Sequence, residues 1–241
     1  MKVPRAKKVA TINYSGNVGK TMIAAHMLKP RMDVDRIFSY DTVNIDASAD
    51  GVDVEKVKGK HFRSMLEELM QVDNAIIDVG AANVEEFLLR MAQFEGSHEE
   101  IDFYVVPVVP DRKQQGDTVN TIRALSKMGV PKSKIRLVFN RVDVDESVDE
   151  DFHALFGLAK TEKSFVLNPD AVIYASEVFT LLKPLGKTVG DIMADQTNYR
   201  EQLRQLTDPA QREACARMIS IQRAAIPTNR NLDAVFATLF T

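Results

Sequence analysis

The stretch Asn13-Tyr14-Ser15-Gly16-Asn17-Val18-Gly19-Lys20-Thr21 stands between an apolar run, Lys8-Val9-Ala10-Thr11-Ile12, and a run of helical character, Thr21-Met22-Ile23-Ala24-Ala25-His26-Met27-Leu28. A glycine-bearing turn that ends in Gly-Lys-Thr between a strand and a helix is built to hold phosphate. The free N–H groups at the helix start and the aligned peptide dipoles favour an anion there. Lys20 adds a mobile positive charge for the outer phosphates, and the Thr21 hydroxyl suits a magnesium ion. Ser15, Gly16, Asn17, Val18, Gly19, Lys20, Thr21 and Met22 are therefore the candidate phosphate-binding residues. The strict phosphate-loop pattern wants glycine six residues before the lysine, and Tyr14 stands there instead.

Outward from this loop, short apolar runs alternate with helical patterns. Ile37–Tyr40, Ala75–Val79, Phe103–Val109, Ile135–Asn140 and Ser164–Leu167 read as strands. Residues 60–71, 84–94 and 118–128 read as helices, and a short helix is expected through Val172 and Ala175. A polar loop is expected from Asp41 to Gly59. Continuous apolar strands alternating with helices predict an α/β fold, a mainly parallel sheet with helices on both faces. Ligands in such sheets bind beyond the carboxyl ends of the strands. From about Asp195 the texture changes to polar, arginine-dotted helices over 196–206 and 209–225. A break is expected at Pro227, followed by Leu232, Val235, Phe236, Leu239 and Phe240 at helical spacing. The organisation predicted is a nucleotide-binding domain over 1–194 and a helical C-terminal extension, 195–241, packed on it.

Composition limits the alternatives. The chain has 241 residues, 45% hydrophobic and 27% charged, values of a soluble globule. A net charge of −3 does not predict nucleic-acid binding from bulk electrostatics. The single Cys215 excludes an internal disulfide framework and fits a reducing cytoplasm. Four scattered histidines show no zinc-ligand spacing. No stretch approaches the roughly 20 apolar residues of a membrane-spanning helix.

Asp78 closes the apolar strand Ala75-Ile76-Ile77, which carries a carboxylate to the tip where it can share a magnesium shell with Thr21. Gly80 lets the backbone approach the outer phosphate there. Arg200, Arg204, Arg212, Arg217, Arg223 and Arg230 offer a phosphate-binding face for non-specific DNA, but Glu201, Asp208, Glu213 and Asp233 are interspersed, which favours a solvated surface. The last helix has no cation beyond Arg230, so its apolar stripe fits packing against protein better than a membrane.

With these motifs in this order, residues 7 to 190 resemble the ParA/MinD family of P-loop ATPases. The family's deviant Walker A loop commonly reads Lys-Gly-Gly-x-Gly-Lys-Thr, and its first lysine crosses a dimer to the partner's nucleotide. Ser15 occupies that lysine's place here, and Asn17 that of the second glycine. The resemblance implies ATP/ADP and Mg²⁺ as cofactors, Lys20 and Asp41 as catalytic residues, and Thr21 and Asp78 as metal ligands. Asp41 keeps only the second acid of the family's Asp-x-Asp, the one that orients water; Asp46 and Asp50 compete for that role in the same loop. Asn140 with Arg141, and Pro169 with Asp170, match family positions beside the adenine. The resemblance further implies a nucleotide-dependent homodimer and a part in plasmid maintenance and conjugation beside a plasmid-encoded DNA-binding companion, while Ser15 in place of the family's lysine predicts slow hydrolysis. Two other classes stay open: an interaction protein with a vestigial loop, and a P-loop phosphotransferase.

Overall fold

A computed structural model describes residues 8–41, 55–57 and 62–240. Its centre is a seven-stranded parallel sheet of order β3-β2-β4-β1-β5-β6-β7. The strands are β1 (Lys8–Thr11), β2 (Arg36–Tyr40), β3 (Glu55–Val57), β4 (Ala75–Val79), β5 (Phe103–Val108), β6 (Ile135–Val142) and β7 (Val172–Tyr174). Every residue of β4 is buried, as an apolar strand covered on both faces must be. β1 lies between β4 and β5, where chain order reverses across the sheet. That reversal opens a crevice at the carboxyl ends of the strands.

Alternate residues feed two cores, as the period of a strand requires. Ala10, Ile77, Tyr104 and Val106 join one, with helices α2 (Phe62–Gln71), α3 (Val84–Gln93), α4 (Arg112–Lys127) and α6 (His153–Glu162), which follows a short α5 (Val148–Asp151). Val9, Ile76, Val105 and Val138 join the other. There the sheet is covered by the helix after the phosphate-binding loop, which starts as α1 (Lys20–Met22) and continues as a π-helix over Ile23–Leu28. The same core takes Leu232, Val235, Phe236, Leu239 and Phe240 of the last helix, so its apolar stripe is buried within the chain. α7 (Val178–Leu182) and α8 (Val189–Ala194) pack with Ile221 and Ala225 in a third cluster, and α9 (Tyr199–Gln205) precedes the last helix.

Several sequence expectations need correction. α4 begins at Arg112, six residues before the expected start, because the Asp111 carboxylate accepts from Gln114 N and caps it. Ser164–Leu167 contributes only an isolated bridge between Arg136 and Val166. The last strand is Val172–Tyr174, where a short helix was expected; its buried Val-Ile pair suits a pleated sheet. Finally, α10 (Pro209–Phe240) runs unbroken through Pro227. An interior proline costs a helix a hydrogen bond. Here Ile221 and Ala225 anchor the helix before it and the Leu232–Phe240 stripe after it. Within the expected Asp41–Gly59 loop, Glu55–Val57 forms strand β3 beside β2, and Asp46, Asp50 and most of the rest lie outside the described residues.

Arg31 binds the end of the phosphate-loop helix to α10. Its guanidinium donates to the carbonyls of His26, Met27 and Asn229, to Asn229 Oδ1 and to Asp233 Oδ1. Arg200, Arg204, Arg212, Arg217, Arg223 and Arg230 are all exposed, and Arg212 spends one nitrogen on the carbonyls of Leu203 and Leu206. No helix among the described residues is long and apolar enough to cross a membrane.

Candidate functional site

The loop at the carboxyl end of β1 is shaped by two left-handed residues, Asn17 at φ 58° and Gly19 at φ 96°. Asparagine is among the few side-chain residues that adopt this region readily, which suits it to a turn position that otherwise favours glycine. Gly19 is constrained twice over, since a Cβ there would lie 2.2 Å from Asn140 Nδ2. Asn13 acts as the loop's internal strut. Its amide donates to Pro107 O and Thr118 Oγ1, and its Oδ1 accepts from Ser15 N. Ser15 is buried and contributes its carbonyl inward. Gly16 is exposed, and its carbonyl accepts from Gln114 Nε2 at 2.9 Å.

Lys20 is buried and points back into the loop, donating to Asn13 O at 3.1 Å and Ser15 O at 2.7 Å. Burial pushes its pKa down to about 8, against the opposing pull of Asp78 and Asp41. Asp78 is held from both sides: Thr21 Oγ1 donates to Oδ2 at 2.6 Å and Thr11 Oγ1 to Oδ1 at 2.8 Å. Burial raises its pKa, while those two hydroxyls and the Lys20 charge pull it down. A buried carboxylate beside a threonine hydroxyl and a lysine is a cation and phosphate set. Asp41 stands at the carboxyl end of β2, where Asn83 Nδ2 donates to its Oδ1 at 2.8 Å. Gly80 makes room for that carboxylate, since a Cβ there would lie 2.9 Å from Asp41 Cγ. Lys20, Thr21, Asp41 and Asp78 thus converge, and their sequence neighbours Val18 and Met22 are buried and half-buried.

On the other side of the loop a cavity of about 690 Å³ is lined by Met22, His26, Asn140, Arg141, the loop after β7 and the start of α7. Asn140 is buried; its amide donates to Val18 O at 2.8 Å, and its Oδ1 has no partner among the described residues. Arg141 is exposed at φ 58°, where β6 and β7 slip register between Asn140 and Val142. His26 Nδ1 accepts from Val189 N, so the proton sits on Nε2, and burial pushes its pKa down to about 4.

Pro169 and Asp170 are exposed and precede β7, whereas the cavity is walled by Tyr174 and Ser176 that follow it. The displaced last strand accounts for this: in a parallel sheet the residues before a strand lie at the end opposite those after it. Sequence reasoning passed over Thr11, Asn13, Asn83 and Gln114. Only their polarity at strand or loop ends marked them.

The donor set fits a magnesium–nucleotide. No group of three His, Cys, Asp or Glu poised for a metal occurs among the described residues. Magnesium commonly takes one carboxylate with a hydroxyl, waters and substrate phosphates, which Asp78 and Thr21 can supply. The unpartnered Asn140 Oδ1 is a hydrogen-bond acceptor available to an exocyclic amine.

No protein-family model matches the sequence, and no curated protein does. Among solved structures, MinD in the MinC:MinD cell division complex of Aquifex aeolicus superposes with a TM-score of 0.56 at 11% identity, covering 95% of this chain and 96% of that one. An McdA variant from Cyanothece in complex with ATP gives 0.52 at 12%, with 92% and 96% covered. A ParA family ATPase from Chlorobium tepidum gives 0.52 at 14%, with 75% and 89% covered. The chain therefore has the fold of the ParA/MinD-type P-loop ATPases.

Proposed function

We propose that this chain is a Mg-ATP-binding switch of the ParA/MinD type that hydrolyses ATP slowly, and that within the type it is most similar to StbB, a plasmid stability protein. The observation that carries the reading is the Lys20–Thr21–Asp78 cluster, with a 2.6 Å bond from the Thr21 hydroxyl to the Asp78 carboxylate. Gly16, Gly19, Lys20 and Thr21 cradle the phosphates, Asp41 positions water, and Asn140 with Arg141 flanks the base. Thr21 and Asp78 would hold a magnesium ion, which would supply charge neutralisation at the phosphates. The biological role follows the resemblance: plasmid stability or partition and conjugation, beside a DNA-binding companion and with a nucleotide-dependent homodimer.

Slow turnover is supported by Ser15, which puts a hydroxyl where the related loops carry a cation. A transition-state arginine is worth about 10³–10⁵ in rate, and unaided GTPases turn over at about 10⁻⁴–10⁻³ s⁻¹. Single-turnover hydrolysis without a partner is expected below about 1 s⁻¹. Calorimetric titration tests the core of the proposal. The native protein takes up ATP with magnesium, and Asp78→Asn loses at least about tenfold in the magnesium-dependent gain while still folding. Failure of the native protein to bind ATP at millimolar levels would leave a vestigial loop. Sedimentation with a non-hydrolysable analogue reads the dimer, and a screen of small phosphoryl acceptors tests the phosphotransferase reading.

A further inference from the structure

A second cation faces the phosphate loop from outside it. Lys113, in the first turn of α4, borders a surface depression of about 440 Å³ together with Tyr14, Ser15, Gly16 and Asn17. The placement is fixed from its neighbour: Gln114 Nε2 donates to Gly16 O across 98 residues of sequence. Lys113 is exposed, and its ammonium makes no hydrogen bond or ion pair among the described residues. Among the described residues it is the only cation lining this depression. Two acids share the depression. The Asp111 carboxylate is engaged in capping α4, and Asp117 sits one turn along the helix. Arg112, one residue away, turns to a different hollow beside Glu150 and Asp151. Lys20, by contrast, is directed at loop carbonyls from within.

We infer that Lys113 is a catalytic residue of this chain, reaching over Ser15 and Gly16 to the terminal phosphate of a nucleotide held by the loop. The inference rests on the ATP reading above. In hydrolysis the water oxygen bonds to the γ-phosphorus as the bond from that phosphorus to the β,γ-bridging oxygen breaks, and the water's proton leaves to solvent. Charge accumulates on the bridging oxygen and spreads over the terminal oxygens, where an ammonium from α4 stabilises it. An exposed, flexible lysine supplies less than a fixed donor, which is worth about 10²–10³ in rate.

The test compares single-turnover ATP hydrolysis and calorimetric ATP affinity in the native protein, Lys113→Ala, Lys113→Arg and Arg112→Ala. Expected are a fall of at least about tenfold in the rate for Lys113→Ala with affinity changed less than about threefold, substantial recovery in Lys113→Arg, and a native rate in Arg112→Ala. An unchanged rate in Lys113→Ala overturns the inference, as does an equal fall in Arg112→Ala, or a fall that Lys113→Arg does not relieve. Absence of ATP binding by the native protein is a separate failure, that of the nucleotide reading itself.

Discussion

The two sides of the phosphate-binding loop are built on opposite plans. On the side of β1 and β4, buried polar atoms are closed upon one another: Thr11 and Thr21 grip both oxygens of Asp78, Lys20 holds two carbonyls, and Asn13 braces the loop at three points. On the side of β6 and β7 the sheet slips register, Arg141 adopts a left-handed backbone, and the buried Asn140 Oδ1 has no partner among the described residues. A closed network is rigid in advance of binding, whereas an open acceptor leaves specificity to the ligand. The contrast predicts that phosphate contacts set affinity and that the far side sets selection.

Gly19→Ala strikes both plans at once and is expected to have the largest effect. Its positive φ and the 2.2 Å approach to Asn140 Nδ2 together cost stability of about 2–3 kcal/mol and abolish measurable ATP uptake. Removing the clash by adding Asn140→Ala recovers part of the stability and leaves the backbone strain. A thermal-melt double-mutant cycle reads the coupling, and strict additivity would show that loop and base side are independent.

A smaller effect comes from pH. Lys20 has its pKa lowered to about 8, so it is charged below that value and an anionic ligand binds its charged form. ATP affinity is expected to be flat from pH 6.5 to 7.5 and to fall by up to about tenfold per unit above 8. Binding above pH 8 should take up a proton, which calorimetry in buffers of different ionisation enthalpy detects. A flat affinity to pH 9.5 would place the lysine outside the phosphate contacts.

Asn140→Ala alone should have the mildest consequence, because it breaks one bond to Val18 O and removes one unpaired acceptor. Stability is expected to fall by about 1 kcal/mol. ATP affinity should fall only several-fold, with a larger loss of preference for ATP over GTP. A fall in affinity matching that of Gly19→Ala would erase the distinction between the two sides.

The closed side was also the legible one. Gly16, Gly19, Lys20 and Thr21 declare themselves by spacing, and Asp78 by ending an apolar strand. The reason is that a phosphate nest is a local backbone structure, written in consecutive residues. The far side is assembled from β6, β7 and α7, and its registration depends on pairing between distant strands. Three-residue β7 gives no periodic signal, so the sequence places Pro169 and Asp170 after a strand at 164–167, whereas they precede β7. Gln114 and Lys113 give no signal for a related reason: the sequence pattern starts the helix at residue 118, beyond them, whereas the Asp111 cap starts it at Arg112. Pro227 reads as a break by a rule that buried anchoring on both flanks overrides.

The Arg31 clasp gives the molecule a rivet. Five hydrogen bonds from one guanidinium span two carbonyls at the end of the π-helix and two residues of α10. The helix that begins at Lys20 and the carboxyl-terminal rod are therefore fastened by one side chain as well as by the apolar packing of Leu232–Phe240.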